Sequence, residues 1–180
     1  MNLQTLQTSL AAIIKSRTIA LSEHEKYLTT IKNSTNVLLI KKIALWWRKI
    51  QTEPYCVLTC NYLKVIGKFD QELSNFMSEK DFSVFREEVG LQFLEYIVSK
   101  RLDSLTQSLA QFELAIIKLK LGQDVDCIVS WEYEPYSIIS GLLHNTFNYD
   151  DLSGGNYEVL VNSFNKEELF TVRHVMSSTN

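Results

Sequence analysis

The sequence predicts an α+β protein that is mostly α: an N-terminal helical bundle over residues 1–122, then a small antiparallel sheet of about three strands with one helix over residues 123–180. Three observations lead there. Apolar residues recur at three- and four-residue steps through the first ~120 residues, the period of a helix with one buried face. After Gly122 the vocabulary changes to Val, Ile, Trp and Tyr, the residues that favour strands. Only 2 Pro and 6 Gly occur in 180 residues, so little interrupts the helical run.

The elements follow in order. Leu3, Leu6, Leu10, Ile13 and Ile14 make the first ~17 residues an amphipathic helix. Ser22 with Glu25 three residues on has the spacing of a capping box, which opens a short helix that "NSTN" at 33–36 ends. From Val37 a strong apolar pattern runs on but is interrupted at Glu53-Pro54, because proline disfavours helical geometry in the residue before it. Two helices therefore meet near residue 53, and the second stops at Gly67. Phe69, Leu73, Phe76 and Met77 mark the inner face of the next helix. Asp81 is a candidate N-cap for the one after, with Phe85, Val89, Phe93, Tyr96 and Ile97 inward. Leu102, Leu105, Leu109, Phe112, Ile116 and Leu119 form the inner stripe of a long helix closed by Gly122. Beyond it, "DCIVSWE" reads as a strand, "PYSIISGLLHN" as a helix opened by Pro135, and "NYEVLVNSF" and "ELFTVRHV" as two strands joined through "NKE". A sheet this small must lean on a helical face.

Composition bounds the function. Hydrophobic residues are 46% and charged residues 22%, a globular balance. A net charge of -3 argues against nucleic acid as the dominant partner, which needs a concentrated excess of Lys and Arg. The N-terminus lacks the charged, apolar and small-residue order of a secretory signal, and no apolar run approaches the ~20 residues of a membrane span. The expected protein is soluble and cytoplasmic, with no membrane partner. Cys56, Cys60 and Cys127 are expected as reduced, buried thiols.

No motif announces catalysis. The sequence has no G-x-S-x-G, P-loop, dinucleotide fingerprint or H-E-x-x-H. His24, His144 and His174 include no pair at helical ligand spacing, so no metal site, cofactor or catalytic residue is expected. Cys56 and Cys60, four apart, share a helix face and fit core packing better than redox chemistry. Glu132, Glu134, Asp150 and Asp151 form an acidic rim, a solvated surface able to attract a basic peptide. Trp46-Trp47-Arg48 is the most distinctive cluster, with indoles about 100° apart on a helix. Lys41, Lys42, Arg48 and Lys49 make helix 41–49 the one foothold for nucleic acid, and that regulatory reading stands as the alternative. A small metal-dependent enzyme ranks third. The last two strands offer a mechanism of another kind, because a small sheet has edges with unpaired N–H and C=O groups that accept an extended peptide.

Several stretches carry a resemblance: "LQTLQTSLAAII", "YLKVIGKFDQELSNFM", "GLQFLEYIV" and "LDSLTQSLAQFELAIIKL", in which Leu105, Leu109, Ala110 and Glu113 fall at an A-x-x-E helix. Over residues ~3–120 the chain resembles a bacterial family carrying a DNA-binding label, which includes or neighbours the partner protein of methanobactin biosynthesis. Asn61-Tyr62 stands where that pattern has Phe-Pro. The resemblance implies a non-catalytic subunit that binds the leader of a precursor peptide and presents it to an iron-dependent TIM-barrel oxygenase, as a heterodimer. The expected peptide contacts are Tyr157, Val159, Val161, Phe170, Val172 and His174, along strand 157–164 or 168–175. The expected partner interface is Trp46, Trp47, Arg48, Trp131 and Tyr133.

Overall fold

A computed structural model of the chain describes residues 3–15, 25–79, 86–164 and 168–175. The helices come first: α1 (Leu3–Ile14), α2 (Glu25–Lys32), α3 (Thr35–Thr52), α4 (Val57–Val65), α5 (Phe69–Glu79), α6 (Arg86–Lys100) and α7 (Ser104–Lys120). Then follow β1 (Asp126–Tyr133), α8 (Pro135–His144), a 3-10 turn at Tyr149–Asp151, β2 (Gly154–Asn162) and β3 (Thr171–His174). The fold is α+β and mostly α, with one three-stranded antiparallel sheet.

Local chemistry sets the boundaries. Ser34 Oγ accepts the Val37 N–H at 3.3 Å, so α3 starts inside the stretch expected as a break. Pro54 sits in the turn between α3 and α4. Both α4 and α7 end with a glycine in the left-handed region, Gly67 at φ 68° and Gly122 at φ 74°. At each end the next residue's N–H reaches back a full turn, Lys68 to Leu63 O at 2.8 Å and Gln123 to Lys118 O at 3.0 Å, which satisfies carbonyls the helix leaves open. Asp103 caps α7 by accepting the Thr106 N–H at 2.9 Å. Ser22, Asp81, Phe85 and the "NKE" connection lie outside the described residues.

Two packed clusters share α4 and α7. One joins Cys56, Cys60 and Leu63 of the α4 region to Phe69, Leu73 and Phe76 of α5 and Val89, Phe93, Tyr96 and Ile97 of α6. The other joins Leu58 and Tyr62 of α4 and Leu105, Leu109 and Phe112 of α7 to Val129, Trp131, Val159 and Val161 of the sheet and Ile138 and Leu142 of α8. The sheet and α8 thus have no core apart from the bundle. Between the clusters, the buried Glu113 carboxylate on α7 accepts the Leu58 and Thr59 N–H groups at 2.7 and 2.8 Å, capping α4 from a neighbouring helix.

The strand order is β1-β2-β3. Cys127 faces Val161, Val129 faces Val159 and Trp131 faces Tyr157, with a bulge between Trp131 and Tyr133. Val159 in turn faces Val172, and Tyr157 faces His174. The third strand is shorter than the 168–175 expected from sequence. Ahead of it the chain bends, and Phe170 packs its ring edge-on to Phe112 at 4.9 Å.

Glu113 yields a pH prediction. Burial pushes its carboxyl from an ordinary 4.5 up to about 7, outweighing the hydrogen bonds from Thr59 and Leu58 that favour the charged form. The folded chain then binds a proton that the unfolded chain has already released between those two pH values. Stability from this group is complete below the unfolded pKa and falls by about 3 kcal/mol as pH rises through 7. In urea unfolding at a series of pH values, Glu113→Gln is expected to lose that slope, so its deficit relative to wild type shrinks as pH rises.

Candidate functional site

The sheet has two edges and one centre, and their backbone directions follow from flanking bonds. Ser163 N donates to Val125 O at 2.9 Å, which makes the odd-numbered residues of β1 the ones bonded to β2. Ile128 and Ser130 therefore turn their N–H and C=O groups away from β2. That edge is not open, because Ser108 Oγ on α7 donates to Ser130 O at 2.6 Å. Next to it Ser104 Oγ donates to Glu132 at 2.7 Å, so α7 lies along the strand as a cover. On the other side Val175 N donates to Asn156 O at 2.8 Å, which makes Thr171 and Arg173 the β3 residues bonded to β2. The main chains of Val172 and His174 point outward, and among the described residues no strand pairs with them.

The faces are equally distinct. The odd residues of β1 and β2 point into the core with Val172, whereas Ile128, Ser130, Glu132, Asn156 and Glu158 line the open face. With Ser104, Gln107, Ser108 and Gln111 of α7, that open face forms a groove of about 510 Å³. Glu132 and Glu158 are its charged lining residues, the first bonded by Ser104 and the second opposite Arg173 of β3. Just beyond the ends of β2 and β3 stand exposed Phe164, Leu169 and Val175.

Against this geometry several expectations need correction. Residues 157–162 of that expected strand lie in β2, the central strand, whose 157–160 stretch is paired on both sides, so no peptide can add there. Val159 and Val161 are fully buried under α7. Tyr157, Phe170 and Val172 are half-buried and packed on the same cluster, and His174 lies edge-on to Tyr157 at 4.9 Å. The alternating side chains that suggested a binding face are the face that holds the sheet to the bundle. From that set the outward main chain of Val172 and His174, the exposed ring of His174 and the half-buried rim of Phe170 remain available.

The partner-interface residues also separate. Trp131 is buried edge-on to Phe112 at 6.0 Å, and Tyr133 is half-buried against the same core, so neither presents a docking ring. Arg48 turns toward its own bundle and donates to Gln51 at 2.6 Å. Trp46 and Trp47 stand exposed on α3, which packs on α1, α2, α5 and α6 and away from the sheet. Helix 41–49 is also not a basic face: Lys41 is half-buried, Lys49 pairs with Asp70 at 2.5 Å, and Lys42 is the exposed cation.

The remaining candidates have structural work. Glu134 caps α8, accepting the Ser137 and Tyr136 N–H groups at 2.7 and 3.1 Å. Partial burial would raise its carboxyl, but those bonds win and hold it below the ordinary range. Asp150 lies in the turn capped by Asn148. The Cys56 Sγ donates to Gly90 O at 3.3 Å, and burial pushes its thiol well up, away from the reactive thiolate. His144 closes α8 with its ring on Ser140 O, and His24 lies outside the described residues. Among the described residues no three His, Cys, Asp or Glu side chains converge on a metal-sized site. None of their helices is long and apolar enough to cross a membrane. Tyr62 shares a short hydroxyl contact with Tyr149 and bonds Asp103 at 3.2 Å, and burial with those partners raises its phenol. Sequence reasoning missed Ser108 and the open face of β1, although the alternation of Ile128, Ser130 and Glu132 with Cys127, Val129 and Trp131 carried the signal. Comparison of the chain with protein-family models, curated proteins and solved structures finds no match.

The two kinds of tryptophan should separate in a stability measurement on dilute protein. Trp131→Ala is expected to lower the unfolding free energy by about 3–5 kcal/mol through the cavity it leaves. Trp46→Ala should change it by no more than ~0.5 kcal/mol. Equal effects in denaturant titration would contradict the assignment of Trp131 to the core and Trp46 to the surface.

Proposed function

We propose that this protein is a non-catalytic subunit that binds an extended peptide as a fourth strand along the outer edge of β3. One observation carries the reading. Of the three strands, β2 is central and β1 has α7 beside it with Ser108 on Ser130 O, so the outward N–H and C=O groups of Val172 and His174 form the strand edge with no helix laid along it among the described residues. Main-chain bonds of this kind give affinity, and the flanking side chains give selectivity. Arg173 and Thr171 would flank alternate residues of the added strand on the open face, and Tyr136 with Phe170 on the other. The resemblance to the methanobactin-partner family supports a more specific form, in which the peptide is a precursor leader and the complex includes an iron-dependent oxygenase. The alternative of nucleic-acid binding through helix 41–49 is less well supported, because that helix shows solvent more apolar than basic surface.

The test uses the main chain. Random peptides displayed on phage are selected against the full chain, and a selected peptide is titrated calorimetrically into wild type, His174→Pro and Arg173→Ala. His174→Pro removes an outward N–H that no ladder bond uses, so the fold should persist while affinity falls roughly tenfold or more. Failure to select any peptide, or equal affinity for His174→Pro, would sink the reading.

A further inference from the structure

Helix α3 presents its apolar side to solvent. Trp46 is 57% exposed, Leu39 56%, Ile43 54% and Trp47 47%, and Ile40 and Ile50 join them. The side facing its own bundle mixes the apolar Val37, Ala44 and Leu45 with Lys41, Arg48, Gln51 and Thr52. The solvent side of a helix in a monomer is ordinarily its polar side, and here it is not.

The exposed positions follow a heptad. With Asn36 at a, Ile43 and Ile50 are also a positions and Leu39 and Trp46 are d positions, which gives a seam at steps of three and four residues. Every a and d position is exposed, as are both e positions, Ile40 and Trp47. The g positions Thr35 and Lys42 are exposed, and Lys49 is half-buried against Asp70. Val37, Ala44, Gln51, Leu45, Thr52, Lys41 and Arg48 at b, c and f are buried or half-buried in the chain's own bundle, with Leu38 the exception. The helix is thus divided between two partners: b, c and f, Leu38 apart, serve this chain, while a, d and e with Thr35 and Lys42 at g face outward.

We propose that the outward face is occupied by α3 of a second copy of this chain, in a parallel two-helix seam about a two-fold axis. The inference is independent of the peptide-binding reading. Ile43 and Ile50 at a with Leu39 at d suit two strands over three or four, Trp46 being the d position that departs from leucine, and the single Asn36 at a fixes their register. Charge agrees with the parallel sense. There each Lys42 at g lies beside Trp47 at e of the other copy, a cation over an indole. In the antiparallel sense Lys42 would approach its own counterpart, a like-charge contact. The six exposed apolar side chains offer roughly 600 Å² per copy, most of the ~800 Å² that each side of a standard interface buries, before the rim is counted. A bilayer is a poorer match, because Lys41 and Arg48 turn into the bundle instead of flanking the apolar face.

Sedimentation equilibrium on the full chain tests this. Wild type is expected to be a dimer at micromolar concentration. Ile43→Asp, which places a charge on an exposed seam position, is expected to weaken dimerisation by about a hundredfold or more with an unchanged circular dichroism spectrum. On a Cys127→Ser background, Ile50→Cys should form a disulfide with its counterpart, because parallel a positions meet and antiparallel ones do not. A wild type that stays monomeric, including one that sediments with phosphatidylserine vesicles instead, overturns the proposal. So does an Ile43→Asp chain that remains dimeric, or an Ile50→Cys dimer whose introduced thiols fail to cross-link.

Discussion

Glu113 holds in register the two packed clusters that α4 and α7 share. It sits on α7 near its middle, yet its carboxylate oxygens serve the first N–H groups of α4, more than fifty residues away in sequence. Helix α4 has no side-chain cap of its own at Cys56, so the cap must come from elsewhere. Burying a carboxyl costs free energy, which is why its proton affinity rises. In return the crossing of α4 over α7 is fixed at one point, and the side chains on either side of that crossing are assigned to different cores. Leu58 and Tyr62 go to the sheet side, and Cys56, Cys60 and Leu63 to the α5 and α6 side. A hydrophobic contact could slide along such a crossing, whereas two hydrogen bonds to one carboxylate cannot.

With α7 fixed, the sheet has little freedom. The apolar face of a three-stranded sheet must be buried against another layer, and here that face is Val129, Trp131, Val159 and Val161 laid on Leu105, Leu109 and Phe112. A one-residue slip would turn all four into solvent, so the packing sets the register. The same helix then closes the β1 edge through Ser108. Asymmetry of the two edges is therefore a by-product of where α7 must lie to cover the core. The far edge at β3 is beyond its reach.

Much of this was legible in the sequence because helical period and end signals are local. The apolar steps of α5, α6 and α7, the break at Pro54 and the stops at Gly67 and Gly122 all depend on neighbours a few residues away. The change of vocabulary after Gly122 located the strands in the same way. What could not be read is non-local. That β2 is central depends on strand order, which no residue of β2 encodes by itself. The alternation of Tyr157, Val159 and Val161 marked one face correctly but could not say whether α7 or a peptide would lie on it, and covering a core is what such alternation usually does. Trp131 and Trp46 look alike in sequence, yet one fills a core and the other faces solvent, because the heptad of α3 is offset from the side that its own bundle uses. In sequence Glu113 is one position of an A-x-x-E helix, and its role as a cap to α4 depends on the crossing of two helices that no local pattern encodes.

The two open features differ in the chemistry by which they bind. The edge of β3 presents main-chain groups, which every peptide can match, so selectivity must come from what flanks it: Arg173 and Thr171 above the sheet, Phe170 and Tyr136 below. The face of α3 presents side chains at fixed spacing, so only a partner with matching spacing can bury it. Four residues of edge form few hydrogen bonds, and each contributes about 1 kcal/mol net, too little for tight binding by one copy. Pairing through α3 would place two such edges in one particle. A bivalent ligand that reached both would bind its second edge as an intramolecular step, and a short strand would then suffice where a longer one is otherwise needed.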